Sequence, residues 1–242
     1  MTERLFISDL HLSAAAPELF ALFQRVIDQH THDIDQLFIL GDLVDAWIGD
    51  DDDSVFVEEL KRTLTTLPER GIELFFMVGN RDFLLGQDFL SQIPATLLPD
   101  PTIIEVMGQR VLLTHGDGLC TDDGSYQAFK SQVRSSDWQS QFLSQPLAQR
   151  RLTAQHLREL SQQAGATKAE AIMDVNTDAV DALMTEHQVS VIIHGHTHRP
   201  ARHPLGDMRE RIVLGDWSTD TPPWVCRSGS NGLIFQTLAT VS

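Results

Sequence analysis

Five short apolar runs in this chain are each followed at once by a small cluster of Asp, Asn, His and Gly. Leu5–Ile7 leads into Ser8-Asp9-Leu10-His11, Leu37–Leu40 into Gly41-Asp42-Leu43-Val44-Asp45, and Leu74–Val78 into Gly79-Asn80-Arg81-Asp82. Val111–Thr114 leads into His115-Gly116-Asp117, and Val189–Ile193 into His194-Gly195-His196-Thr197-His198. Runs of this length read as buried strands. In open α/β sheets, ligands bind beyond the carboxyl ends of the strands. A fold that accommodates all five runs therefore brings the five clusters to one edge.

The segments between the early runs are helical. Pro17–His30 spaces Leu19, Leu22, Phe23, Val26 and Ile27 along one face, and Val55–Leu67 does the same with Val55, Leu60, Leu64 and Leu67. Strands separated by such helices predict βαβ units and a largely parallel sheet. Ile103–Val106 and Val111–Thr114 flank Met107-Gly108-Gln109-Arg110 as a hairpin, so the sheet turns antiparallel there. Arg211–Leu214 and Gly232–Leu238 read as further strands. With 242 residues, 42% of them hydrophobic, the chain can bury a sizeable core as one domain, or one domain with an insert.

Residues of about 123–170 differ in character. They read as helices and loops rich in Gln and Ser, and Tyr126 to Lys168 carry a local +4 inside a chain of −16. The segment is either a solvated helical pair or an inserted cap that receives an anionic ligand. The run Asp50-Asp51-Asp52-Asp53 reads as a solvated loop in preference to a support for the site.

The net charge argues against a generic nucleic-acid binder, whose affinity comes from neutralising phosphates, so no nucleic-acid partner is expected. Cys120 and Cys226 lack CxxC spacing and fit two ordinary thiols in a reducing cytosol. No signal peptide is expected before Leu5, and no stretch approaches the roughly 20 apolar residues of a membrane span. Membrane contact would be peripheral. The sequence sets no oligomeric state.

The clusters share one chemistry. Carboxylate and amide oxygens with imidazole nitrogens, and no thiolate, suit Mn, Fe, Zn or Mg. Asp-x-His and His-x-His put alternate side chains on one side of an extended segment. A site for two ions ~3.5–4 Å apart needs a bridging carboxylate and several ligands on each ion, and this inventory supplies them. Each cluster alone is unremarkable as a turn or a chance pairing; all five in order after strands are not.

Together these residues resemble the calcineurin-like metallophosphoesterases, whose pattern runs Asp-x-His, Gly-Asp, Gly-Asn-His-Asp/Glu, His and Gly-His-x-His. The resemblance implies an α/β fold, an αββα sandwich of two mixed sheets. It implies a single domain over 1–242 with a helical cap insertion at about 123–170. Carried over by position, it implies two divalent cations, with Asp9, His11 and His198 on one and Asn80, His115 and His196 on the other. Asp42 would bridge them. His194 is then no ligand; it supports the others, faces the substrate or simply packs. Arg81 stands where the wider family has a His that can protonate an alkoxide leaving group. Arginine is no proton donor at neutral pH, but it pairs with phosphate oxygens. That departure favours a good leaving group, and so a pyrophosphate bond.

A narrower resemblance is to the family of bacterial UDP-2,3-diacylglucosamine diphosphatases of lipid A synthesis. Ala46-Trp47-Ile48-Gly49-Asp50-Asp51-Asp52, Asn80-Arg81-Asp82-Phe83-Leu84-Leu85-Gly86, Leu119-Cys120-Thr121-Asp122-Asp123 and Ala171-Ile172-Met173-Asp174-Val175-Asn176 carry it. It implies hydrolysis of a lipid-linked nucleotide sugar to UMP and 2,3-diacylglucosamine 1-phosphate. It also implies Mn²⁺ as the usual ion and a cytoplasmic, peripheral place on the inner face of the bacterial inner membrane. Its substrate contacts fall at Asn80, Arg81, Asp123, Tyr126, Arg158, Ser161, Lys168 and His196. Trp138, Phe142, Leu143, Leu147 and Leu152 either line an acyl chamber or pack the helical pair. A protein phosphatase, a cyclic-nucleotide phosphodiesterase and a nuclease are rivals, disfavoured by Arg81 and by the basic, apolar-rich cap. A scaffold without metal should show gaps among the seven ligands, and none is missing.

Overall fold

In the computed structural model, residues 2–167, 174–230 and 232–239 are described. The early apolar runs lack period-two alternation because both of their faces are covered. β1 (Arg4–Ile7) is followed by α1 (Pro17–His30), β2 (Gln36–Leu40), α2 (Val55–Glu69) and β3 (Glu73–Met77). The three strands are parallel, with Ile7 opposite Ile39 and Leu40 opposite Met77. Leu5, Ile7, Leu37, Ile39, Leu74 and Phe76 point to the face covered by α1 and α2. Phe6, Phe38, Leu40 and Met77 point the other way, into the space between two sheets.

The chain continues through α3 (Gln87–Leu90) and β4 (Ala95–Leu97) to the hairpin of β5 (Thr102–Val106) and β6 (Gln109–Leu113). Three helices follow: α4 (Gly124–Val133), α5 (Ser136–Leu143) and α6 (Leu147–Thr167). Then come α7 (Thr177–His187), β7 (Val191–His194), β8 (Ala201–Gly206), β9 (Arg209–Val213), β10 (Trp224–Gly229) and β11 (Gly232–Thr237). One sheet runs β11-β10-β1-β2-β3-β4 and the other β5-β6-β7-β9-β8. The central pairs β6–β7 and β7–β9 are parallel, and β5 and β8 flank them antiparallel. Val111, Leu113, Val191, Ile193 and Ile212 face the first sheet. Leu112 and Ile192 face away and pack with Val180 and Met184 of α7. The layers are thus helix, sheet, sheet, helix, as the family resemblance implies.

β4, β8 and β10 are strands the sequence did not signal. β4 has three residues with Thr96 exposed, and β8 is an edge strand carrying Pro204, tolerated where no neighbour needs its N–H. Each edge holds half-buried residues, so neither gives an apolar run.

α4, α5 and α7 begin on side-chain caps. Asp123, Ser135 and Asn176 accept from the backbone N–H groups of Tyr126, Trp138 and Ala179. Of the apolar residues expected in the helical segment, Phe142 is buried in the main core and Trp138 stacks on it, with ring centroids 4.9 Å apart. Leu147 packs against the same cluster, whereas Leu143 and Leu152 are exposed.

The acidic run is a solvated loop only in part: Asp51 and Asp53 are exposed, whereas Asp50 and Asp52 are half-buried. Asp50 accepts hydrogen bonds from the backbone of Gly86 (3.0 Å) and Phe89 (3.0 Å) and from the Trp47 indole (2.9 Å). Asp51 receives Arg150, and Asp52 and Asp53 receive Arg151. Arg150 is itself buried and also donates to the carbonyl of Ile48 (2.6 Å). The run therefore fastens α6 to the rest of the fold. Among the described residues, no helix is long and apolar enough to cross a membrane.

Candidate metal centre

All five clusters meet beyond the carboxyl ends of β1, β2, β3, β6 and β7. The chain leaves each strand in a tight turn, and left-handed backbone aims the side chains inward. Asp9, His11, Asp42, His196 and His198 have φ of 55°, 49°, 54°, 67° and 55°. Hydrogen bonds between the clusters hold these turns. His11 N donates to Asp42 O (3.0 Å), His196 N to a carboxylate oxygen of Asp9 (2.8 Å), and Arg81 N to one of Asp42 (2.8 Å). The missing side chains matter as much. A Cβ on Gly195 would collide with the Asp9 carboxylate, and one on Gly79 with that of Asp42.

Ligand atoms gather in two groups that share Asp9. Asp9, His11 and His198 place one donor atom each within 4.8 Å of one another, and so do Asp9, Asp42 and His115. Asn80 Oδ1 lies 2.9 Å from His115 Nε2 and 2.8 Å from His196 Nδ1. The seven residues singled out from the sequence as metal ligands are therefore together.

The polarity of these contacts calls for a cation. His115 Nδ1 lies 2.9 Å from the Leu40 carbonyl, a partner that can only accept. With the Nδ1 proton directed there, Nε2 faces the oxygen of Asn80 at 2.9 Å: it donates when the ring is charged and offers a lone pair to a metal ion when the ring is neutral. His11 Nε2 and His198 Nε2 lie 3.1 Å apart. One oxygen of Asp9 is buried and accepts no hydrogen bond. Carboxylate, amide and imidazole donors of this kind fit divalent metal ions.

Without a cation, the charges strain against burial. Burial pushes Asp42 up to about 7, partly opposed by His115 and reinforced by Asp82 and Asp9. Burial would lower His115, but Asp42, Asp9 and Asp117 raise it to about 9. Burial lowers His11 and His196 to about 3, leaving both imidazoles neutral and able to ligate. Burial would raise Asp9 too, but His198, His115 and His11 hold it well below the usual carboxylate range.

The remaining expected residues are distributed as follows. Arg81 follows Asn80, lies near enough to His11 to depress it, and has a buried Nε with no hydrogen-bond partner. Asp123 caps α4 and accepts from Ser125 Oγ at 2.8 Å. The hydroxyl of Tyr126 donates to Asp117 at 2.9 Å, and its ring lies 5.7 Å from that of His196. Arg158 pairs with Asp45, just past the Gly41-Asp42 turn. Ser161 is exposed on α6, and Lys168 lies outside the described residues. His194 is fully buried, 3.4 Å from Arg211, and depressed to about 4 by burial first and Arg211 second. It is not exposed to a substrate.

Two acids lay inside the motifs without an assigned role. Asp82 is fully buried and accepts from the backbone of Leu43 (2.7 Å) and Gly79 (2.6 Å), joining the turns that carry Asp42 and Asn80. Asp117, also fully buried, accepts from Tyr126, Lys130 and Arg134. Their signal was position: each lies two residues past a proposed ligand, Asn80 or His115.

Known proteins share these features. A profile of the calcineurin-like phosphoesterase family matches residues 4–200. A UDP-2,3-diacylglucosamine hydrolase from Cellvibrio japonicus is 49% identical, covering 96% of this chain and 97% of its own. One from Stenotrophomonas maltophilia is 46% identical over 97% and 98%, and one from Escherichia coli 45% over 89% and 91%. Among solved structures, a dimetal phosphatase from Danio rerio superposes with a TM-score of 0.54 at 14% identity, covering 100% of this chain and 97% of that one. An archaeal phosphodiesterase superposes with a TM-score of 0.50 at 13% identity, covering 98% and 100%. At such identities the structures show a shared fold.

Proposed function

The chain belongs to the calcineurin-like phosphoesterase family, and on that premise we propose that it hydrolyses the pyrophosphate bond of UDP-2,3-diacylglucosamine. The products are UMP and 2,3-diacylglucosamine 1-phosphate, a step of lipid A synthesis. The observation that carries the reading is the seven-residue cluster with Arg81 beside it, its buried Nε unpartnered. The names of relatives at 45–49% identity over nearly the whole chain support the substrate.

Asp9, His11 and His198 would hold one divalent ion, Asn80, His115 and His196 would hold the other, and Asp42 would serve both. Mn²⁺ is the proposed ion. When bound, such ions acidify water and neutralise phosphate charge. Arg81 pairs its fork of donors with phosphate oxygens, which stabilises charge developing in the transition state. It supplies no proton, so the leaving group is a phosphate that needs none. Buried His11 and His196 stay neutral and remain ligands rather than acids.

α4–α6 (Gly124–Thr167) make up the described part of the cap expected at about 123–170, on a single domain. The basic cap receives an anionic lipid-sugar, with Asn80, Arg81, Asp123, Tyr126, Arg158, Ser161, Lys168 and His196 as contacts. The acyl chains place the enzyme at the cytoplasmic face of the inner membrane, held peripherally.

The test is direct. The pure protein is incubated with Mn²⁺ and UDP-2,3-diacylglucosamine, with bis-p-nitrophenyl phosphate, cyclic AMP and single-stranded DNA in parallel. UMP release from the lipid substrate, well above turnover of the others, is expected. Release of UDP, or faster cleavage of a simple phosphodiester, overturns the substrate assignment.

A further inference from the structure

We infer that Arg134 is a positioning residue for the metal centre, holding the Asn80 turn from helix α4. The inference rests on the metal reading above. Tyr126, Lys130 and Arg134 follow one another at spacings of four, so they lie on one side of α4, with Arg134 as its C-cap residue. All three converge on Asp117. Tyr126 Oη donates to Oδ2 at 2.9 Å, Lys130 Nζ to Oδ1 at 2.9 Å, and Arg134 Nη2 to Oδ2 at 3.2 Å. Gln127 adds a bond from its amide to the Asp117 carbonyl at 2.8 Å. The helix is therefore docked by a polar face on a buried anion, two residues past His115.

Arg134, unlike Lys130, also bonds to a second ligand-bearing turn. Its Nη2 also donates to the carbonyl of Gly79 at 3.0 Å, and its guanidinium lies 5.9 Å from the centre of the Phe83 ring. Gly79 precedes Asn80, whose oxygen faces His115 and His196. Gly79 also sits so close to Asp42 that it cannot carry a side chain. The turn can be held only through its backbone. Asp82 takes its N–H from one side, and Arg134 takes its carbonyl from the other. Arg134 thus ties two ligand-bearing turns, after β3 and after β6, to one helix. Groups that orient ligands in this way are typically worth 10–100-fold in metal affinity.

Lys130 provides the control. It is another cation on Asp117 from the same helix face, but it bonds to Asp117 and not to Gly79. The experiment follows Mn²⁺ binding to Arg134→Met, Lys130→Met and Asn80→Ala by equilibrium dialysis. The signal of coupled Mn²⁺ pairs in electron paramagnetic resonance gives a second readout. Arg134→Met should weaken the second ion by about tenfold, and Lys130→Met by no more than about threefold. A role confined to docking α4 would move both alike, and that result overturns the inference. So does wild-type affinity in Arg134→Met. If that variant fails to fold, Arg134→Lys decides. It keeps a charge for Asp117 but lacks the fork, so it should still lose affinity, and full retention refutes the assignment. Two ions bound with wild-type affinity by Asn80→Ala would instead overturn the metal reading beneath it.

Discussion

Replacing Asp42 with Asn should make the metal-free protein more stable while removing its hydrolysis. Asp42 is buried, and its carboxyl is pushed from the ordinary 3.8 to about 7. A carboxyl raised on folding opposes the fold once ionised. The cost is absent below about pH 4, grows to pH 7 and is complete above it. Three units correspond to about 4 kcal/mol at pH 8. The attraction between Asp42 and His115 is already contained in that value, so a gain of about 4 kcal/mol should raise the melting temperature by about 8–15 °C. The assay is thermal unfolding in EDTA at pH 8 and pH 5, repeated with Mn²⁺. At pH 5 the advantage should shrink, since the folded carboxyl is already protonated. Mn²⁺ at a hundred times its Kd should stabilise the wild type by about 3 kcal/mol and the variant by much less. A variant less stable than wild type in EDTA at pH 8 would show that ionised Asp42 does not oppose the fold. Wild-type turnover by a folded variant would refute the role of Asp42 in hydrolysis.

Arg81→Ala should lower UMP release by about a hundredfold, with little recovery in Arg81→Lys, which restores a point charge but not the fork; a loss under threefold rejects its role on phosphate. Arg150→Met should destabilise the protein by about 2 kcal/mol in urea unfolding, because it strands the buried carbonyl of Ile48. Asp51→Asn should cost under about 1 kcal/mol, since that carboxylate is 63% exposed. Equal effects from the two would show that the ion pair, not the buried backbone contact, fastens α6.

How far the sequence reached depended on what each residue had to satisfy. β1, β2, β3, β6 and β7 were legible because strands buried on both faces must be apolar throughout. The edge strands β4 and β8 were not, because half their side chains meet water. The ligand set was legible because metal chemistry restricts residue type and each ligand follows a strand. Asp82 and Asp117 were visible as letters but not as roles. A buried acid is explained by its donors, and these include the backbone amide of Leu43, 39 residues away, for Asp82 and a helix face for Asp117. The Asp50–Asp53 run misled in part for the same reason, since its partners Arg150 and Arg151 lie about a hundred positions downstream.

The energetics of the centre bear on whether the chain is an enzyme or a retired scaffold. Five of the seven proposed ligands sit in left-handed backbone, at a cost of about 1–2 kcal/mol each for a residue with a side chain. Asp42 adds a buried carboxyl whose ionisation opposes folding. Glycine at those five positions would relax the backbone, and Asn at 42 would relieve the charge. Neither relief is taken at any position. The turns are instead pinned by bonds that run from one cluster to the next, His11 N to Asp42 O, His196 N to Asp9 and Arg81 N to Asp42. Each cluster is held by its neighbours in a shape it would not adopt alone. Such an arrangement is stable only as a set, and what relieves the remaining repulsion is positive charge placed among the ligands. A bound pair of cations would turn the least favourable part of the apo fold into one that stabilises it, so the same residues that weaken the empty protein make a tight metal site.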